Sequence, residues 1–333
     1  MVDRKHYPNL DLLRLYLALE VIWIHAQGDN YQWSVMLSPV ATFVCLSGFL
    51  IPGSFASSRS WGHFAWKRAL RVVPAFIVSL LIVAVLFGPS HLPPTLRYYV
   101  TAGFTAVAGS MNWPMWSLML EEALYAFHAL QRIIRFAWNP FAVGACLVSS
   151  ALLWVTWARH GFAPNGDPTF HMAPVTAFFA GCLLSFYRRS LERIRLSIWI
   201  CTFALFFGLC NIQWGALGIS STAMYAAVYA PLITITSVLA VALAFVAPQI
   251  TFRMPDLSYG TYIYHAPILW AIQSRLALEP IPLLLGTIAV VLPFSAISWY
   301  LIEKPVLKWK DLVVNAPARV HGIDGLAEVR SVA

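Results

Sequence analysis

Apolar residues along this chain gather into long runs, each closed by Pro, Gly or charge. An α-helix needs roughly 20 predominantly apolar residues to cross a bilayer. Ten such runs fit, at 9–28, 35–55, 72–88, 116–135, 140–158, 172–187, 196–212, 223–247, 257–273 and 281–302. The pattern predicts an all-α, polytopic transmembrane helix bundle of about ten spans. What remains is too short for a separate soluble domain. The expected division is residues 1–310 as the transmembrane domain and 311–333 as a cytoplasmic, flexible tail that is polar and mixed in sign.

Composition agrees. Of the 333 residues 59% are hydrophobic and 11% charged, with mean hydropathy +0.70. A soluble domain carries about a quarter charged residues. Charge then gives the bundle a direction. Alternation of the spans puts eighteen Lys and Arg on one side and only Arg97, Arg159 and Arg275 on the other. This positive-inside bias predicts that both termini are cytoplasmic and that the number of spans is even. The net charge of +8 is therefore a topology signal and a skirt for anionic membrane lipids, with no nucleic-acid partner implied. Met1 to Leu10 lack the features of a cleavable signal peptide, so the first run is expected to be retained. The five cysteines are scattered without CxxC or metal-ligand spacing.

Polar groups inside apolar spans are costly, so they mark where chemistry is expected. The first span holds most of them. Arg14 and His25 are eleven residues apart, which puts them within about 20° of one helix face and about 16 Å apart along the axis. Asp11 lies one turn before Arg14 and can pair with it. Asp29 lies one turn after His25 and is placed to orient its ring. Glu20 points away from this face. The plainer reading is that Arg14 snorkels to one interface while His25 reaches the other.

In the fourth span Ser117, Glu121 and Tyr125 recur every four residues, aligning a hydroxyl, a carboxylate and a phenol. The plainer alternative is an interfacial cap with Trp113 and Trp116 as an aromatic belt. Arg68 and Arg71 precede the third apolar run, and a guanidinium pair suits phosphate oxygens. Taken alone, topology determination is the better account of them. The ninth span carries Tyr259, Tyr262, Tyr264 and one histidine, His265, near mid-membrane; His128 reads as interfacial.

These residues resemble the motifs of the membrane-bound acyltransferase-3 family, whose members O-acylate surface polysaccharides and related glycans. Leu-Asp-Leu-Leu-Arg14 followed by ten residues and His25 resembles its Arg-x10-His motif. Leu46-Ser47-Gly48-Phe49-Leu50 resembles its LSGFL stretch, and Arg68-x-x-Arg71 its second basic motif. Trp116-Ser117-Leu118-x-x-Glu121, Ser258-Tyr259 to His265-Ala266-Pro267, and Glu303-Lys304-Pro305 follow in family order. One departure is Pro114-Met115 before Trp116, where many members carry a polar residue.

The resemblance implies a multi-pass protein of the bacterial inner membrane. The donor would be cytoplasmic acyl-CoA, with acetyl-CoA the first choice, and the acceptor a hydroxyl of a carbohydrate or glycolipid. No permanently bound cofactor or metal is implied. Arg68 and Arg71 would clamp the donor's phosphates. Arg14, His25 and Glu121 would be catalytic, with His25 as general base or transient acyl carrier and Glu121 holding the acceptor. Asp11, Asp29, Ser117 and Tyr125 would orient them. Ser47, Tyr259 and His265 are candidates for acceptor contact or channel lining. A transporter or flippase with Arg14, His25 and Glu121 as a polar relay is the competing expectation. The lack of internal repeats speaks against it. An acyltransferase of another membrane fold with an Asn–His pair is a third, but neither Asn112 nor Asn211 has an evident histidine partner in the sequence.

Overall fold

Among the described residues, ten long helices stand where the ten apolar runs lie. The computed structural model describes residues 7–28, 37–104, 107–133, 138–160, 169–212, 217–218, 222–251 and 255–311. The helices are α1 (Pro8–Ala26), α2 (Pro39–Ala56), α3 (Trp61–Phe87), α4 (Leu92–Val100), α5 (Met115–Ile133), α6 (Pro140–His160), α7 (Thr169–Phe186), the single turn α8 (Arg188–Leu191), α9 (Leu196–Cys210), α10 (Thr222–Val246), α11 (Ser258–Leu276) and α12 (Pro280–Ser298). A π-helical turn, Trp299–Glu303, and the short α13 (Lys304–Leu307) follow. Prolines open α1, α2, α6 and α12, where the missing N–H costs nothing. Asp29 and residues 312–333 lie outside the described residues, so the expected tail is not part of this picture.

Two helices differ from the apolar pattern. α3 starts at Trp61 rather than at residue 72. Lys67, Arg68 and Arg71 interrupt the apolar run but not the helix, which Ser60 caps by accepting from the His63 amide at 3.1 Å. The stretch 89–115, expected as a loop, contains the nine-residue α4.

Among the described residues five helical segments are long and apolar enough to cross a bilayer by length and composition: Pro39–Ala56, Trp61–Phe87, Pro140–Ala158, Ala227–Val246 and Pro280–Lys310. α1, α5 and α11, which fall outside that set, carry the arginine, carboxylates and histidines of the candidate site. Large apolar side chains such as Phe141, Val85, Leu152 and Leu205 face outward, as a lipid-facing surface requires. The chain is a helical, multi-pass membrane protein.

The two largest clusters of buried apolar side chains lie on different sets of helices. One packs Cys45, Phe49, Trp154, Ala177, Ile233 and Val241 among α2, α6, α7 and α10. The other packs Ala18, Ala75, Ile263, Tyr264 and Val291 among α1, α3, α11 and α12. The first is held by the crossing of α2 and α7, where Gly48 and Gly181 let two backbones touch. A Cβ on Gly48 would stand 2.1 Å from the Phe178 carbonyl oxygen, and one on Gly181 would stand 1.9 Å from that of Cys45. Small residues at such crossings are the usual means of close helix packing in lipid.

Candidate active site

Three adjoining cavities run through the bundle. The first, about 1460 Å³, is bordered by Arg14, Lys67, Arg68, Arg71 and Lys310, with Asp11, Asp256 and Ser54 among them. The second, about 820 Å³, shares Arg14, Arg68 and Arg71 with the first and continues past Ser47, Glu121, Tyr125 and Tyr259 to Val40, Ser117 and Tyr262. The third, about 720 Å³, shares Val40 and Tyr262 with the second and is bordered by His25, Trp116, Pro174 and Ile233. Arg14 and His25, on one face of α1, thus border the two ends of this series.

In the basic vestibule the arginines are not equivalent. Arg14 Nη1 pairs with Asp11 at 3.1 Å, as the spacing predicts. Arg71 pairs with Asp256, just before α11, and Ser258 Oγ donates to the same carboxylate at 2.8 Å. Burial alone would raise the Asp256 carboxyl, but the charges of Arg71 and Arg14 hold it down at about 2. Arg68 has no carboxylate partner among the described residues. Its guanidinium lies 5.9 Å from the ring centres of Phe64 and Tyr125, reaches Ser54 Oγ only at 3.4 Å, and leaves its buried Nε without a hydrogen bond. Of the expected pair, Arg68 is the one open to an incoming anion. Arg71 is already engaged.

The central cavity is tied by hydroxyls. Ser47 of α2 and Tyr125 of α5 both donate to Glu121 Oε1, and Tyr125 also lies 3.1 Å from Ser47 Oγ. Glu122 turns the other way and accepts from Tyr99 of α4 at 2.8 Å. Ser117, expected in one stripe with Glu121 and Tyr125, instead meets the Tyr262 hydroxyl at 2.6 Å. Both of those hydroxyls also stand within 3.1 Å of the Pro114 carbonyl. Tyr259 donates to the Val72 carbonyl at 3.1 Å. Glu121 borders this cavity and not the one that His25 borders. Glu121 and His25 thus border adjoining cavities that share Val40 and Tyr262.

At the third cavity, His25 Nδ1 stands 2.8 Å from His265 Nε2, and the two rings meet edge to edge, with planes 12° apart and centroids 5.0 Å apart. His265 is fully buried and its Nδ1 lies 2.6 Å from the Tyr262 carbonyl oxygen. It is therefore a partner of His25 rather than a wall of the channel.

α11 opens next to this pair. Pro267 brings no N–H to the Ile263 carbonyl one turn earlier, and Asn112 Nδ2 donates to that oxygen at 2.9 Å. Asn112 serves the backbone of the histidine-bearing helix and not an imidazole. The internal proline was the signal from which a buried amide partner could have been expected. His128, expected at the interface, is instead fully buried, with its ring edge-on to Trp138 and Phe55. Glu303 of Glu-Lys-Pro turns inward, accepting from Ser298 Oγ at 3.1 Å.

The model of the acyltransferase domain family known as acyltransferase-3 matches residues 7–302. The chain is 27% identical to Nodulation protein 10 of Rhizobium leguminosarum bv. viciae, covering 93% of this chain and 95% of that protein. It is 24% identical to the O-acetyl transferase of Shigella phage Sf6, covering 91% and 97%. No solved structure matches. The match runs over most of the chain and includes Arg14, His25, Glu121 and His265, and on that ground the chain belongs to the acyltransferase-3 family and is an acyltransferase.

Proposed function

We propose that this enzyme takes an acetyl group from acetyl-CoA at its basic, cytoplasmic face and transfers it to a hydroxyl of a glycan or glycolipid beside His25, in a bacterial inner membrane. The observation that carries this reading is the series of three adjoining cavities from the arginine vestibule to His25. The printed name of the phage relative, an O-acetyl transferase, supports oxygen as the atom acylated. A flippase has no comparable support.

The chemistry follows the path. Phosphate oxygens of the donor lie against Arg68, with Lys67 and Lys310 adding charge. The acyl-bearing arm passes Ser47, Glu121 and Tyr125 and reaches the neck between Val40 and Tyr262. In the third cavity a ring nitrogen of His25 takes the proton of the acceptor hydroxyl. The oxygen then bonds to the acyl carbon, the carbon–sulfur bond breaks, and the leaving thiolate recovers the proton from His25. A route through an acyl-imidazole uses the same nitrogen as nucleophile. Glu121, held by two hydroxyl donors, is a positioning group for the arm. Trp116 offers the acceptor an apolar, aromatic wall.

The test is to incubate the purified protein with labelled acetyl-CoA and a membrane extract. An alkali-labile acetyl ester on a glycan is expected, and no label above a protein-free control overturns the reading. Arg68→Ala should raise the KM for acetyl-CoA by about tenfold or more, since a charge-assisted contact is worth about 1.5–3 kcal/mol, with acceptor KM unchanged. Equal effects on donor and acceptor would count against a phosphate contact. Val40→Trp should fill the neck, leave acetyl-CoA binding intact and cut transfer by about tenfold or more, a barrier increase of about 1.4 kcal/mol. Unimpaired transfer would show that the acyl group reaches His25 by another way.

A further inference from the structure

The hydrogen bonds around His265 decide which nitrogen of His25 can react. A carbonyl oxygen only accepts, so the 2.6 Å contact with Tyr262 places the proton of His265 on its Nδ1. A neutral imidazole carries a single N–H. His265 Nε2 is then a bare acceptor, and the proton in the 2.8 Å contact belongs to Nδ1 of His25. Nε2 of His25 is left with its lone pair. Among the described residues that atom has no hydrogen-bond partner, and His25 borders the third cavity.

We propose that His265 is the positioning residue that sets the tautomer of His25, so that Nε2 faces the substrate as base or nucleophile. The assignment of the reaction rests on the reading above; the assignment of the tautomer rests on the hydrogen bonds alone. In hydrolase triads a carboxylate receives the Nδ1–H of the catalytic histidine and holds the reactive nitrogen outward. Here an uncharged ring does so. When Nε2 takes the acceptor's proton, the imidazolium still donates from Nδ1 to the His265 lone pair. One positive charge is then shared along a bond already made, with no buried carboxylate to desolvate.

The rest of α11 keeps this acceptor in place. The Tyr262 carbonyl takes the His265 N–H, and two residues past His265 the Pro267 break is filled by Asn112. The planes of the two rings lie within 12° of one orientation, which aligns the His25 N–H with the His265 lone pair.

Three variants separate positioning from mere support. In His265→Gln the amide oxygen occupies the place of Nε2 and can accept from His25. In His265→Asn the shorter amide can still donate to the Tyr262 carbonyl but does not reach His25. In His265→Leu both bonds are lost. With labelled acetyl-CoA and membrane extract, His265→Gln should stay within about tenfold of wild-type turnover. His265→Asn and His265→Leu should lose about 10²–10⁴-fold, as expected when a catalytic histidine loses its tautomer, with donor KM unchanged. Equal turnover of the Gln and Asn variants overturns the proposal.

Diethyl pyrocarbonate followed by peptide mass spectrometry tests the same geometry with no donor present. His25 should be carbethoxylated and His265 spared in the wild type, and the rate at His25 should persist in His265→Gln but fall in His265→Asn. Equal modification of both histidines overturns the assignment. The expected labelling without any acetyl transfer by the wild type would sustain the tautomer and sink the acetyl-CoA reading instead.

Discussion

Alanine at position 25 should lower acetyl transfer by about 10³-fold or more, while the KM for acetyl-CoA changes little. General base catalysis by a positioned side chain contributes about 10²–10⁴-fold, and a nucleophilic role would raise the loss further. His25 is the one imidazole or carboxylate among the described residues that border the third cavity, so nothing on that wall can take over. The donor's phosphates, by the path proposed above, sit at the other end of α1, about 16 Å from this ring. Binding and chemistry are therefore separable by kinetics. His25→Ala also leaves His265 Nε2 buried without a donor, at a cost of about 1–3 kcal/mol. Thermal unfolding in detergent should be measured alongside. Transfer within tenfold of wild type, from a protein of normal stability, would move the base elsewhere, with Glu121 next on the path.

The second large effect concerns folding. Gly181→Val should leave little folded protein in the membrane, and Gly181→Ala should be destabilised at or beyond the upper end of the about 1–3 kcal/mol usual for overpacking. The atoms that a new Cβ would strike belong to the α2 backbone: the Cys45 carbonyl oxygen at 1.9 Å, its carbon at 2.9 Å and the Phe49 amide at 3.0 Å. No side chain can swing aside, so the helices must separate. Gly208→Ala in α9 is the control, since its Cβ would meet nothing within 4 Å. That exchange should be neutral or gain about 0.5–1 kcal/mol. Unfolding midpoints from fluorescence-detected size exclusion would read both. If Gly181→Ala matched Gly208→Ala, close packing of α2 on α7 would not be what holds this cluster together. Activity should fall with Gly181→Ala too, because Ser47, next to Gly48 in α2, donates to Glu121.

Among the described residues the apolar runs coincide with the long helices, and five of those segments are long and apolar enough to cross a bilayer. Hydropathy cut α3 short by eleven residues. There the helix leaves the apolar regime while its backbone bonds continue, and composition reports solvent rather than conformation. Arg14, His25, Glu121 and Arg68 were recognisable as polar groups in costly places. Asp11 for Arg14 and Tyr125 for Glu121 were legible as near neighbours on one helix, but the distant partners were not. Asp256 lies 185 residues from Arg71 and His265 lies 240 from His25, and no periodicity within one helix carries that information. Sequence spacing grouped Ser117 with Glu121 and Tyr125 on α5; packing against α11 drew it to Tyr262 instead. Hence His265, read as an isolated ring, gained its meaning only from the fold.

The neck at Val40 and Tyr262 has a consequence for the cell that hosts this enzyme. On the path proposed above, the cavities would face opposite sides of an energised membrane, where a continuous thread of water would conduct protons and dissipate the gradient. Here the Tyr262 hydroxyl is occupied by Ser117 and the Pro114 carbonyl, and Val40 offers no polar atom to a passing water chain. On that proposed path, one aliphatic side chain and one satisfied phenol between the two cavities would let an acyl group pass without opening an ion leak.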